Sequence, residues 1–222
     1  MKRIAIFRLS KMKEVNLEEF GYKLLKYPYS DHSGQGFLID QISSDQLRGR
    51  FYYRVRVELN TVDPNGNAIS QEAIKFYQYI FEINKPNSSM VLIDHPRSLK
   101  IFFGKLCQAL GSGFTVEPIQ IQPKNAFAAL NDRISFHKLY VKNLSWIKAA
   151  QLSGEITAKP SLLEEIIMEM KSAEIVGIEG VVKDPTHGKA NKCRITAGGT
   201  ITFSLDYIGD FVSEIELLLS DQ

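Results

Sequence analysis

Apolar and polar side chains alternate along residues 46–60, and this alternation is the clearest pattern in the chain. A period of two indicates a β-strand whose two faces differ. One face carries Leu47, Gly49, Phe51, Tyr53, Val55, Val57 and Leu59. The other carries Arg48, Arg50, Tyr52, Arg54, Arg56 and Glu58, and we call it the arginine face.

A strong turn signal follows this strand at Asp63–Asn67, because Pro64 presets φ and Asn-Gly tolerates positive φ. The sequence therefore predicts a second strand over Ala73–Ile83 that folds back on the first. Three acids, Glu58, Glu72 and Glu82, would then lie near the arginine face. We expect these to be too few to neutralise four guanidinium groups if the face is isolated.

Similar patterns predict the remaining elements. The further strands are Lys2–Leu9, Phe37–Ile42, Ser89–Ile93, Phe114–Ile121, Ile134–Leu144, Glu155–Lys159, Glu174–Lys183, Lys192–Thr196 and Thr200–Leu205. The helices are Asn16–Lys26, a helix that begins within Asp94–Ser98 and ends at Gly111, Ser161–Lys171 with a Ser161 and Glu164 capping box, and Asp210–Leu219. Pro123–Asn131 is a short helix or a loop.

Strands and helices mix without regular βαβ alternation. This indicates an α+β fold of mainly antiparallel sheets with helices packed on one side. At 222 residues the chain is long enough for two subdomains. We expect an N-terminal α+β subdomain at 1–131, which carries the arginine strand, and a C-terminal α+β subdomain at 132–222.

The formal net charge of +2 conceals an asymmetry. Residues 1–160 hold 22 Lys and Arg against 14 Asp and Glu, whereas residues 161–222 hold 5 against 11. The basic part could bind an anion, or the acidic part could pair with the basic part of another copy. Since no apolar run approaches the roughly 18 to 20 residues of a spanning helix, we expect a cytoplasmic protein.

Arginines at alternate positions of one strand can contact successive phosphates, because each planar guanidinium matches a pair of phosphate oxygens. Tyr52 among them could stack on a base or ribose. A second candidate surface on the strand Ile134–Leu144 interleaves aromatic and basic residues on one face: Phe136, Lys138, Tyr140 and Lys142. The alternative for this second surface is that Phe136 and Tyr140 belong to the core while the lysines reach the solvent.

Other chemistry has little support in the sequence. The two cysteines, Cys107 and Cys193, and the four histidines form no metal-ligand spacing, so we expect neither metal nor cofactor. No phosphate-binding loop or nucleophile motif occurs, and we expect a non-enzymatic protein. A metal-independent ribonuclease remains open, with His32, His95 or His137 as its general base.

Four segments resemble, in their layout, the phage-exclusion DNA-binding sensor proteins of the Rex A kind. They are the strand QYIFEI, the helix RSLKIFFGKL, the strand FTVEPI at Phe114–Ile119 and the strand ISFHKLYVKNL. The resemblance covers about 70 residues and implies a dimeric DNA-binding protein of phage exclusion or antiviral defence, with a membrane or effector protein as partner. The arginine strand has no counterpart in that resemblance.

The leading hypothesis is a protein that binds the backbone of DNA or other nucleic acid without sequence preference, as a homodimer. The candidate contacts are Arg48, Arg50, Tyr52, Arg54, Arg56, Lys138, Tyr140 and Lys142. The alternative is a protein-interaction or self-assembly module in which the arginine face meets an acidic surface.

Overall fold

A computed structural model describes residues 2–111, 114–147, 150–170, 174–183 and 191–203. The chain divides into two compact units. Leu9–Thr115 form one, which we call the hairpin unit, and Met1–Arg8 with Val116–Gln222 form the other, which we call the terminal unit. This division differs from the expected boundary at 131 and 132, because strand β1 at the N-terminus pairs with β11 near the end of the described chain.

The hairpin unit contains an antiparallel sheet in the order β2-β3-β4-β5. Its strands are β2 (Gln35–Ile42), β3 (Gln46–Val62), β4 (Ala68–Asn84) and β5 (Ser89–Ile93). Helix α1 (Leu17–Leu25) begins at Asn16, whose side chain accepts hydrogen bonds from the backbone N–H groups of Glu18 and Glu19. Helix α2 spans Lys100–Leu110.

Phe102 of α2 lies at the centre of the hairpin unit's core and is fully buried. Five aromatic rings lie with centroids 5.3 to 6.4 Å from its own: Phe37, Phe51, Tyr79, Phe81 and Phe103. The alternation in β3 and β4 places rings from both strands on this side of the sheet. The core therefore fixes which side of the hairpin faces inward.

The terminal unit contains an antiparallel sheet in the order β1-β11-β10-β9-β7-β8, with β6 also paired to β1. The strands are β1 (Lys2–Leu9), β6 (Val116–Pro118), β7 (Ile134–Ile147), β8 (Ala150–Thr157), β9 (Glu174–Val182), β10 (Asn191–Thr196) and β11 (Thr200–Phe203). Helices α3 (Pro123–Leu130) and α4 (Pro160–Glu169) complete it. Phe127 of α3 packs on Phe136 of β7, with ring centroids 5.2 Å apart.

The sequence-based prediction of an α+β, mainly antiparallel protein is confirmed, and the described residues are dominated by sheet. Three local predictions were wrong. Helix α2 begins at Lys100, after Pro96, because Asp94 has a left-handed φ of 52° and turns the chain before the helix. Ser161 does not cap α4, since Pro160 is already its first residue. The strand expected at Phe114–Ile121 is only Val116–Pro118.

The predicted helix Asp210–Leu219 lies outside the described residues. Among the residues that the structure describes, no helix is both long and apolar enough to cross a membrane.

Candidate functional site: the arginine face of the β3–β4 hairpin

Strands β3 and β4 form one uninterrupted antiparallel hairpin in which Gln46 pairs with Asn84 and Val62 pairs with Ala68. Directly opposite residues share a face, and we call each such pair a rung. The rungs of the arginine face are, from base to tip, Arg48/Glu82, Arg50/Ile80, Tyr52/Gln78, Arg54/Phe76, Arg56/Ile74, Glu58/Glu72, Asn60/Ser70 and Val62/Ala68. Leu47, Phe51 and Tyr53 are buried on the opposite face, as their alternation predicts.

Only the base of this hairpin is flanked by other strands. Strand β2 pairs with Leu47–Tyr53 of β3, and β5 pairs with Ile80–Asn84 of β4. Beyond these residues, the two strands pair with each other alone in the described part of the chain. We call residues 55–75 the outer hairpin. Both its backbone edges are open, which is the usual starting point for pairing with another strand.

Arg50 is held by an acid that the sequence did not place near it. Its Nε lies 3.1 Å from both carboxylate oxygens of Asp40, and its Nη2 lies 2.6 Å from Asp40 Oδ1. Arg50 Nη1 also donates to the hydroxyl of Tyr52 at 3.2 Å. These hydrogen bonds, chiefly the one to Asp40, raise the pKa of Arg50. The guanidinium is therefore oriented as well as paired.

A second acid lies beside Arg54. Arg54 Nη2 donates to the carbonyl of Asp31 at 2.5 Å, and Nη1 lies 3.8 Å from the carboxylate of Asp31, which is 90% exposed. The side chain of Arg54 rests against Gly34, where an added Cβ would lie 3.2 Å from Nε. Gly34 has a φ of 61°, so a residue without Cβ suits both the backbone and the contact.

Arg48 and Arg56 are exposed, and within the described residues neither forms an ion pair. Glu82, opposite Arg48, accepts a hydrogen bond from Gln46. The face therefore contains two arginines with fixed partners and two whose guanidinium groups remain available.

Aromatic side chains stand among these arginines. The ring centroid of Tyr29 lies 6.2 Å from that of Tyr52 and 6.4 Å from that of Phe76. Phe76 is 57% exposed, although it lies on a strand and opposite Arg54. Phe76 was not singled out from the sequence. Its exposure gives the cluster an accessible apolar surface.

The charge balance of the face corrects the expectation from sequence. Four arginines are accompanied by the three predicted glutamates and also by Asp31 and Asp40. The acids thus outnumber the arginines, and the face has mixed charge with exposed apolar groups. The count made from the sequence omitted Asp31 and Asp40, which lie outside β3 and β4, so the face is not isolated from other acids.

An open pocket of about 610 Å³ lies where β5 leaves β4. One wall is β4, with Phe76, Tyr77, Gln78 and Ile80, together with Tyr53 of β3, and the other is residues 94–98. Phe76, Gln78 and Ile80 also belong to the arginine face, so the pocket and the arginine face share part of β4.

The second predicted surface is divided between two faces of β7. Phe136 pairs with Gly180, and Lys138 pairs with the adjacent Glu179, so His137 is bulged. Phe136 is consequently buried, whereas Lys138 and Tyr140 point the other way, and the expectation of one shared face was wrong. Lys142 is exposed.

Lys138 and Tyr140 have partners within the terminal unit. Lys138 Nζ lies 3.3 Å from Glu155, and the hydroxyl of Tyr140 donates to Glu179 at 2.7 Å. The guanidinium of Arg194 lies 4.0 Å from the ring centroid of Tyr140. Burial, followed by the bond to Glu179, raises the pKa of Tyr140. These contacts connect β7 to β8, β9 and β10. Lys142 is therefore the most accessible of the candidates Lys138, Tyr140 and Lys142.

The histidines and cysteines form no catalytic arrangement that the structure describes. His32 is exposed in a loop, His95 lines the pocket, and His137 is the bulged residue of β7. His187 lies outside the described residues. Among the described residues, no group of three or more His, Cys, Asp or Glu could hold a metal ion. Cys107 is exposed, and Cys193 is buried.

No protein-family model matches this chain, and no curated protein matches it.

Proposed function

We propose that this is a non-enzymatic binding protein whose arginine face contacts a protein partner. The observation that carries the proposal is the mixed character of the face: oriented arginines, acids in at least equal number, and exposed Phe76 and Ile74. Arginine and aromatic residues are enriched in the central part of protein interfaces, and charged pairs around them favour a particular partner and orientation.

The fixed geometry of Arg50 and Arg54 supports this proposal further. A side chain that is already oriented by Asp40 or Asp31 loses less conformational freedom on binding than a free one. Tyr52 and Phe76 between them supply rigid apolar area. We propose in addition that helices cover one side of each sheet, which would keep the arginine side of the hairpin unit available for the partner.

Photo-crosslinking in cells tests the proposal. A benzoylphenylalanine introduced at Phe76 is expected to crosslink to a protein, and the additional change Arg54→Glu should reduce that product at least fivefold. Tyr22 of α1 is the matched control, because it is an aromatic residue of the same unit and 64% exposed. Equal crosslinking from both positions, or none to protein from Phe76, would contradict the proposal.

Nucleic acid is a second candidate ligand, and the cluster of Tyr29, Tyr52 and Phe76 favours it. Exposed aromatic rings flanked by arginines can stack on unpaired bases while the guanidinium groups contact phosphates. For duplex DNA, four phosphate contacts correspond to a log–log salt slope of about −3.6, and two contacts to about −1.8. Because Arg50 and Arg54 already have acidic partners, we expect the smaller value.

Fluorescence anisotropy with single and double strands at 50 mM and 200 mM salt would measure this. Arg48→Ala with Arg56→Ala should weaken binding to nucleic acid, whereas Lys75→Ala with Lys159→Ala removes the same charge away from the face. The nucleic-acid candidate fails if binding is absent at low salt or if the two double variants behave alike.

We also propose a cytoplasmic role in phage exclusion or antiviral defence, with a membrane or effector protein as partner. The layout resemblance to the sensor proteins of the Rex A kind supports this proposal. Expression in a bacterial host should lower the plating efficiency of at least one phage, and Arg54→Glu should restore it. If the Arg54→Glu variant protects as well as the parent chain, the arginine face has no part in defence.

A further inference from the structure

The tip of the outer hairpin, residues 57–73, differs in charge from the base of the hairpin. Residues 57–73 contain Glu58, Asp63 and Glu72 and no lysine or arginine. Several of its apolar side chains are exposed, including Leu59 at 51% and Val62 at 69%. This tip is therefore acidic and apolar, a combination that repels nucleic acid and suits a protein contact.

Two neighbouring rungs of the arginine face carry opposite charges. Glu58 and Glu72 lie directly opposite each other, an arrangement in which like charges destabilise a strand pair. The adjacent rung holds Arg56 with Ile74, which is 56% exposed. Within the described residues, no ion pair reaches Glu58, Glu72 or Arg56. A cation would therefore stabilise the Glu58/Glu72 rung, and an anion would stabilise the Arg56/Ile74 rung.

We propose that the arginine face, from the Tyr52/Gln78 rung to the tip of the hairpin, is a self-association surface on which a second copy of this chain docks. Two hairpins that pack arginine face to arginine face, with their tips in opposite directions, are related by a two-fold axis between these two rungs. Arg56 of each copy then meets the Glu58/Glu72 rung of the other. The contact is self-complementary, as a two-fold interface must be.

The same two-fold symmetry determines which residues of the two copies face each other at the next rungs. Arg54 and Phe76 of one copy face Asn60 and Ser70 of the other, and the Tyr52 rung faces the Val62 rung. Charged residues therefore meet polar or oppositely charged residues at these rungs. A parallel arrangement in register would instead place Glu58 and Glu72 against the same two residues of the second copy.

Six rungs overlap in this arrangement, and at about 6.8 Å between rungs they span about 34 Å. A two-stranded contact of this length is small by the standard of stable protein interfaces. Self-association is accordingly reversible, and it weakens as salt screens the pairs of Arg56 with glutamate. The inference rests on the proposed function, because it identifies the protein partner of the arginine face.

Charge exchange within one chain tests the symmetry directly. The variants Arg56→Glu and Glu58→Arg each bring like charges together twice per dimer, and each should raise the dissociation constant at least tenfold. The double variant with both changes restores opposite charges across the axis and should return to within about threefold of the parent chain. Sedimentation equilibrium of the full chain at 50 mM and 500 mM salt gives these constants.

Lys75→Glu is the matched control, because Lys75 lies on the opposite face of the outer hairpin and undergoes the same charge change. It should leave the dissociation constant unchanged. A parent chain that is monomeric at every concentration overturns the inference, as does a double variant no better than the singles. If the chain is monomeric while position 76 still crosslinks to another protein, the inference fails and the proposed function stands.

Discussion

Replacing Phe102 by alanine is expected to destabilise the hairpin unit by about 3–5 kcal/mol. Phe102 is fully buried among five aromatic rings, and an aromatic side chain of this kind buries roughly 200 Å². At about 25 cal/mol per Å², its transfer from water contributes about 5 kcal/mol. The rings come from three strands and a helix, so they cannot close the cavity without moving the backbone.

Urea unfolding followed by far-ultraviolet circular dichroism measures this loss. Ile101→Ala is the control, because Ile101 precedes Phe102 on the same helix and is 40% exposed. It should cost about 1 kcal/mol or less. A loss below about 1.5 kcal/mol for Phe102→Ala would refute the conclusion that these rings form one rigid core.

Three further predictions concern local structure and reactivity. Asn16→Ala should cost about 1 kcal/mol, measured by urea unfolding, because it removes the cap of α1, whereas Asn16→Asp should keep it. Gly36→Ala should lower the midpoint of thermal unfolding by several degrees, since the new Cβ would lie 2.2 Å from the backbone of Pro28; an unchanged midpoint would contradict that contact. Cys107 should react with a thiol reagent in the folded protein, whereas Cys193, whose pKa is raised by burial, should react only on unfolding.

Alternation of side chains predicted β3, β4 and the inner faces of their bases, because the base of each strand buries one face around Phe102. The turn at Asp63–Asn67 was also predicted from the sequence. Its residues hold one another through Asp63, which accepts from the backbone N–H groups of Asn65 and Asn67. These features depend on neighbours in the sequence, which is why the sequence alone revealed them.

Two bulges account for the principal errors about the candidate sites. Asp40 is the extra residue between Ile39 and Gln41 in the pairing of β2 with β3, and from there it reaches Arg50. His137 is the extra residue in β7, and the resulting change of register places Phe136 in the core. A bulge depends on the register with a partner strand, so a period-two pattern within one strand does not reveal it.

The pairing of Lys2 with Phe203 imposes an order of events on synthesis of the chain. At about 5–20 residues per second, β1 leaves the ribosome roughly 10–40 s before β11 exists. The hairpin unit, whose strands pair with near neighbours, can complete its sheet within that interval. The first strand to be made is thus among the last to be fully paired, and apolar Ile4 and Ile6 reach their full burial only after β11 has been made.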